Sequence, residues 1–195
     1  MKAIAFNASP RRKGNTATIL EEVLDGARME GAETELVHLT DLDMKGCQAC
    51  GHCSENPGHC AYEDGFLPYL EKVVQSDVVL LGTPIYIFQE TALCKSLIER
   101  LYCFIRVESN PETGERHFIN HFPKGKKFGF VISQRFPERD EYRNIIDYLR
   151  LIGSFLSGQE CEVLQQTGTT SMDDARNDSP LLEQARELGR KLAAQ

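Results

Sequence analysis

Lys2-Ala-Ile-Ala-Phe-Asn7, followed by Ala8-Ser-Pro-Arg-Arg-Lys-Gly-Asn-Thr16 and a stripe of Leu20, Val23, Leu24 and Ala27, is the stretch that decides the fold. The first six residues are apolar in alternation and then continuously, and they end in a polar turn, the pattern of a short buried strand. The stripe falls at i, i+3, i+4 and i+7, one face of an α-helix. Gly31 stands just past its end, where a left-handed cap is often needed. Asn15 or Thr16 is placed to cap its start.

The same strand–helix alternation continues outward from this opening. Residues 34–39 read as a second strand. Asp64 and Gly65 lead into a helix carrying Phe66, Leu67, Leu70, Val73 and Val74. Residues 77–82, Asp-Val-Val-Leu-Leu-Gly, are apolar almost throughout, as expected of a strand covered on both sheet faces. A loop over residues 83–88 separates this strand from a helix with Cys94, Ile98, Leu101 and Ile105 on one stripe. Residues 128–133 and 160–166 read as the fourth and fifth strands, with a helix on Tyr142, Ile145, Ile146, Leu149 and Ile152 between them. After a polar stretch, Pro180 opens a last helix on Leu181, Ala185, Leu188 and Leu192.

Alternating strands and helices imply an α/β fold, a parallel sheet with helices on both faces. Five strands most commonly take the order 2-1-3-4-5, with ligands outside the carboxyl ends of the strands, near the switch point between the first and third. The loops at 9–16 and 83–88 are those ends. The expectation is one domain over 1–195, with a cysteine-rich insertion at 46–63 and an irregular excursion at 107–127. That excursion holds the turn pairs Asn110-Pro111, Thr113-Gly114 and Phe122-Pro123. It is long for a connection, which suggests a functional or oligomer-forming role.

Composition narrows the class. The chain has 195 residues, 41% hydrophobic and 26% charged, ordinary for a globular protein. A net charge of −7 argues against broad nucleic-acid binding. No apolar run is long enough for a membrane helix, and the start is too short an apolar run for a signal peptide. A cytoplasmic location follows as the expectation, where clustered cysteines more often bind metal or do redox work than form disulfides.

The first loop carries hydroxyls (Ser9, Thr16, Thr18), the Asn15 amide and the basic group Arg11-Arg12-Lys13 at a helix start. Free N–H groups and the helix macrodipole favour anions there, and a phosphate monoester fits. A plain polar turn that caps the helix is the bland alternative.

The second motif is Cys47-Gln-Ala-Cys50-Gly-His-Cys53, with Cys60 six residues on. Four thiolates in fourteen residues are soft ligands for a metal or an iron–sulfur cluster. Zinc usually takes two separated pairs, whereas three cysteines at two-residue intervals suit a cubane. Zinc and plain thiol or disulfide chemistry remain open. His52 and His59 are candidate alternative ligands. Cys94, Cys103 and Cys161 read as small buried fillers.

Ala8 to Thr16 resembles the Gly-Ser-Pro-Arg-x-x-Gly-Asn-Thr loop of the flavodoxin-like NAD(P)H-dependent FMN reductases. Thr83-Pro-Ile-Tyr86 resembles their Ser/Thr-Pro-x-Tyr loop, and Lys95-Ser-Leu-Ile-Glu-Arg100 their Lys-x-x-x-Asp-Arg. The cysteines, with Gly46 before and Glu63-Asp64 after, are similar to the subgroup called iron–sulfur flavoproteins. The resemblance covers about residues 1–100. It implies a flavodoxin-like three-layer α/β/α fold. It implies FMN, with its phosphate on Ser9, Arg11, Asn15 and Thr16, Ala17 beside them, and Thr83, Pro84, Ile85, Tyr86, Ile87 and Phe88 along the ring. It implies a 4Fe-4S cluster on Cys47, Cys50, Cys53 and Cys60, and a homodimer or homotetramer in which one subunit's cluster approaches another's flavin. Family members often carry a small Thr/Ser-x-Gly-like turn after the fourth strand; here the turn is the bulky Ser133-Gln-Arg-Phe136.

The leading expectation is an FMN-dependent oxidoreductase that passes electrons between FMN and the cluster. Its donor would be ferredoxin or NAD(P)H and its acceptor a small molecule, and no residue is assigned a proton-transfer role. One alternative is an NAD(P)H-dependent FMN or quinone reductase with a zinc-bound or vestigial cysteine loop. Another is a non-enzymatic, metal-stabilised binding module.

Overall fold

The computed structural model of the chain describes residues 1–194. Strand β1 (Lys2–Asn7) passes through the first loop into helix α1 (Asn15–Met29), and β2 (Glu33–His38) follows. The cysteine loop holds one short helix, α2 (His52–Glu55). Helix α3 (Leu67–Gln75), β3 (Val78–Tyr86), β4 (Gln89–Glu90) and α4 (Ala92–Arg100) come next. Then come β5 (Ile105–Ser109), β6 (Arg116–Asn120), β7 (Lys127–Ser133), α5 (Arg143–Ser157), β8 (Glu162–Gln166) and α6 (Ser179–Ala193).

Strands β2, β1, β3, β7 and β8 pair in parallel in that order. This is the expected doubly wound, flavodoxin-like arrangement, with β7 and β8 as its fourth and fifth strands. Alternation along each strand sorts the core into two halves. Ala3, Ala5, Val78, Leu80 and Val131 pack under α1 and α6, against Ile19, Leu20, Val23 and Leu181. Ile4, Phe6, Val79, Leu81, Phe128 and Phe130 pack on the other face, against Leu70, Val73, Leu97, Ile145 and Leu149.

Helices α1 and α6 touch backbone to backbone. A Cβ on Gly26 would lie 2.0 Å from the Arg186 carbonyl oxygen, and one on Gly189 would lie 1.9 Å from that of Val23. Only glycine fits at either point.

The helix read through Ile105 ends at Arg100, and Ile105 opens β5 instead; two further segments depart from the sequence reading. The 83–88 loop is largely strand: Thr83 and Pro84 stay in register with Ile132 and Ser133 of β7. Ile85 and Tyr86 then fold back onto Glu90 and Gln89. Ile87 and Phe88 form the two-residue turn, at φ of 47° and 62°. Such turns normally announce themselves with Gly, Asn or Asp, and neither residue is of that kind. The excursion at 107–127 is also partly regular. Strands β5 and β6 form an antiparallel hairpin from Ile105 opposite Asn120 to Ser109 opposite Arg116. Asn120 Nδ2 ties it to the end of α5, donating to the Phe155 and Leu156 carbonyls at 2.7 and 2.8 Å. Its alternation was hidden because most of its side chains face solvent. Among the described residues no helix is long and apolar enough to cross a membrane.

Candidate functional site

The carboxyl ends of β1 and β3 open beside the N terminus of α1. Ser9, Arg11, Gly14, Asn15 and Thr16 line a cavity there of about 320 Å³. Pro84, Ile85, Tyr86, Ser133, Arg135 and residues 169–171 complete its wall. Asn7 builds the loop from beneath: its Oδ1 accepts from the Ser9 N–H at 3.1 Å, and the Ser9 Oγ accepts from the Arg11 N–H at 3.1 Å. The expected side-chain cap on α1 does not form. Gly14 is the N-cap and no side chain accepts from the first turn. Thr16 Oγ1 instead donates to Ser133 Oγ at 3.2 Å. Asn15 donates to the Ser171 carbonyl at 2.7 Å and accepts from the Ala175 N–H at 2.9 Å, so its side chain tethers the 169–177 loop over the cavity. The first-turn N–H groups of a fifteen-residue helix therefore carry no side-chain acceptor, beside a guanidinium and buried hydroxyls. This donor set fits a phosphate monoester, as the FMN expectation requires.

The remaining residues expected here have other positions. Ala17 is buried behind the loop. Thr83 is fully buried, and its Oγ1 accepts from the Thr91 N–H at 3.1 Å. Ile87 and Phe88 stand at the hairpin tip, 89% and 65% exposed, outside the cavity wall. Phe88 reaches the Tyr142 ring at 6.4 Å, and Phe136 reaches it at 6.0 Å. Arg135 joins the wall because Gln134, 1% exposed, pins its own turn: its Nε2 donates to the Phe136 and Glu138 carbonyls at 3.0 and 2.9 Å. Ser133 and Arg135 were named from the sequence only as part of the bulky turn after the fourth strand, and residues 169–171 were not named at all. The bulky turn after the fourth strand was the only signal for any of them.

The cysteine loop forms a second cavity, of about 240 Å³. Cys47, Cys50, Cys53 and Cys60 all line it, with Tyr62, Glu99, Arg100 and Cys103. Left-handed backbone at Ala49 (φ 52°), Gly51 (79°) and Gly58 (85°) coils the loop around this space. The Ala49 N–H donates to Cys47 Sγ at 3.4 Å. Cys47 and Cys50 are exposed, Cys53 and Cys60 partly buried. Burial pushes the Cys53 thiol up, and the neighbouring sulfurs add to that shift. Among the described residues no three Cys, His, Asp or Glu side chains are drawn together tightly enough to grip a metal ion. His52 and His59 are exposed and lie outside the cavity wall. Cys94, Cys103 and Cys161 are buried as expected, but Cys103 also forms part of this wall, its thiol pushed up to about 12 by burial.

Arg100 closes the loop. Its side chain is 1% exposed and pairs with Asp64, 5% exposed. Nη1 also donates to the Lys45 carbonyl at 3.2 Å, and Nη2 to the Tyr62 carbonyl at 3.1 Å. Both stems of the loop thus converge on one guanidinium. Its Nε–H is buried and has no partner. The cavity therefore offers four soft donors and one unused N–H, which fits a thiolate-held group with sulfur acceptors. Gly46 leaves room for the neighbouring helix: a Cβ there would lie 2.5 Å from Glu99 Oε2.

The two cavities flank the two ends of α4. Thr91, its N-cap, donates to the Ala8 carbonyl at 2.9 Å at the edge of the first cavity. Glu99 and Arg100, its last residues, line the second. Nine helical residues span about 14 Å.

Comparison with known proteins bears on the family and the fold. An iron–sulfur flavoprotein of Archaeoglobus fulgidus is 36% identical over 100 residues, 51% of this chain and 48% of that protein. One from Methanocaldococcus jannaschii is 28% identical over 200 residues, 99% of this chain and 96% of that protein. The chain thus spans about half the length of the first relative and nearly all of the second. The NAD(P)H:quinone oxidoreductase from Methanothermobacter marburgensis superposes with a TM-score of 0.72 over 98% of each chain at 18% identity, a likeness of fold. The description of the NADPH-dependent FMN reductases matches residues 1–131. With that match, the parallel sheet and the open cavity at its switch point, the chain belongs to the NADPH-dependent FMN reductase family, among relatives named iron–sulfur flavoproteins.

Proposed function

We propose that the chain is an FMN-dependent oxidoreductase that moves electrons between FMN and a 4Fe-4S cluster on Cys47, Cys50, Cys53 and Cys60. The observation that carries this reading is the pair of cavities at the two ends of α4, one built for a phosphate and the other lined by four thiols. Bound FMN accepts two electrons and releases them singly, and a bound cluster carries one at a time. Ser9, Arg11, Thr16 and the uncapped start of α1 hold the phosphate, while Pro84, Ile85 and Tyr86 flank the ring. Asn15 acts through the 169–177 loop, and Ala17 and Thr83 support the wall from behind. The reductant is ferredoxin or NAD(P)H, and the final acceptor a small molecule. The exposed tip at Ile87 and Phe88 is the surface a second copy of the chain covers in a homodimer or homotetramer.

The test is anaerobic purification of the full chain, with an absorbance spectrum and assays for iron, zinc and acid-labile sulfide. Flavin bands over a broad brown absorption, with iron and sulfide lost in Cys53→Ser, are the expected result. Rapid bleaching by ferredoxin and slow bleaching by NAD(P)H would fix the donor. One observation favours a second reading: Cys47 and Cys50 are exposed, and the sulfurs are not drawn together. On that reading the chain is an NAD(P)H-dependent FMN or quinone reductase with a zinc or free-thiol loop. Zinc at the cysteines, or none, with fast bleaching by NAD(P)H, selects it. A colourless protein that refuses FMN removes both.

A further inference from the structure

Among the buried side-chain nitrogens and oxygens of the described residues that line the cysteine cavity, one has no hydrogen-bond partner. The Arg100 guanidinium is held rigidly: the Asp64 carboxylate and the Lys45 carbonyl take Nη1, and the Tyr62 carbonyl takes Nη2. The Tyr62 and Phe66 rings lie over it at 5.4 and 5.6 Å. Its Nε–H, almost fully buried, has no acceptor. Cys60 lines the same cavity, two residues before the Tyr62 whose carbonyl Nη2 holds. A neutral thiol is a weak acceptor; a metal-bound thiolate is a strong one.

We propose that Arg100 is a positioning residue for the centre on the cysteine loop, joining the two stems of the loop and donating its Nε–H to the Cys60 sulfur once that sulfur binds as a thiolate. The inference rests on the cluster reading above. A hydrogen bond and a positive charge at a ligand sulfur favour the reduced, more negative state, so Arg100 raises the cluster's reduction potential. Lysine cannot substitute. An ammonium is a point donor and cannot reach Asp64, two carbonyls on opposite stems and a sulfur in one plane.

The experiment uses the full chain, reconstituted anaerobically with iron and sulfide. Wild-type protein labelled with [15N]arginine is reduced and read by pulsed electron paramagnetic resonance. The expected result is an arginine 15N coupling together with an exchangeable proton coupling. In Arg100→Lys the cluster midpoint is expected to fall enough to change the reduced-to-oxidised ratio about tenfold, 59 mV for one electron. The flavin midpoint, read in the same titration, stays in place. Absence of arginine coupling in the wild type overturns the proposal, as does an unchanged cluster midpoint in an iron-loaded Arg100→Lys protein. If that variant fails to fold or to hold iron, the wild-type coupling decides alone. A wild type that takes up zinc or nothing removes the cluster reading and this inference with it, and the iron assay tells that failure from loss of the arginine contact.

Discussion

Asp64→Asn isolates the clasp of the cysteine loop. The carboxylate pairs with Arg100 and accepts backbone N–H groups from Lys45 at 3.2 Å and from Phe66 and Leu67 at 3.0 Å. The amide keeps one acceptor for the start of α3 but leaves the guanidinium buried beside no counter-charge. Removing one partner of a buried pair costs about 3–5 kcal/mol. The retained acceptor puts this change near the lower end, about 3 kcal/mol. With a urea slope of about 2.5 kcal/mol per M, the unfolding midpoint should fall by about 1 M at neutral pH. The double variant Asp64→Asn, Arg100→Met should recover most of that loss, because replacing both charges removes the uncompensated one. The pH dependence has a definite sign. Burial pushes the Asp64 carboxyl up, but Arg100 and the Lys45 and Phe66 amides outweigh it and hold the group below its ordinary value. The folded state thus prefers the carboxylate. The stabilisation is complete above the unfolded value of about 3.9 and is lost as pH falls through the lower folded value. Urea titrations of the metal-free protein from pH 7 downward should show the two proteins converging only in that acid range. A midpoint shift under about 0.3 M at pH 7, or a gap that ignores pH, would refute the reasoning.

Gly189→Ala should strain the α1–α6 contact, since its Cβ would lie 1.9 Å from the Val23 oxygen. Calorimetry should show a loss of about 2 kcal/mol, or about 6 °C, with FMN affinity unchanged. Asn15→Ala removes the two hydrogen bonds that tether the 169–177 loop. FMN titration by fluorescence should give a Kd raised about tenfold, and equal affinity would free that loop from any part in binding. Ile87→Gly relieves a branched side chain at positive φ on an exposed tip. In the FMN-free protein it should stabilise by about 1 kcal/mol, raising Tm by about 3 °C.

The sheet strands were legible because burial writes itself into periodicity, while their order came from the commonest arrangement of five. β3 is apolar throughout its first half since both faces are covered, and β1 alternates small and large residues since one face receives α1 and the other does not. The hairpin at 85–90 was not legible. Its turn residues are Ile87 and Phe88, whose propensities oppose the φ they adopt, so only pairing with β3 reveals it. The first loop was legible as a set of donors at a helix start but not in how its side chains are used. Nothing near Asn15 in sequence says that its amide is committed to Ser171 and Ala175, about 160 residues away.

The cysteine loop shows the same limit in a sharper form. Spacing alone identifies the four sulfurs as one set, because chain connectivity keeps them within reach of a common point. It cannot say what holds that set when no metal does. Arg100 enters the sequence reading only as the last residue of a motif that resembles the family's, yet it is among the most deeply buried side chains of the protein. Its partners lie 36, 38 and 55 residues away. The stems of the loop are therefore joined by a buried ion pair and two carbonyls. Here one guanidinium frames the loop, and the four thiols it surrounds differ in exposure, two exposed and two partly buried.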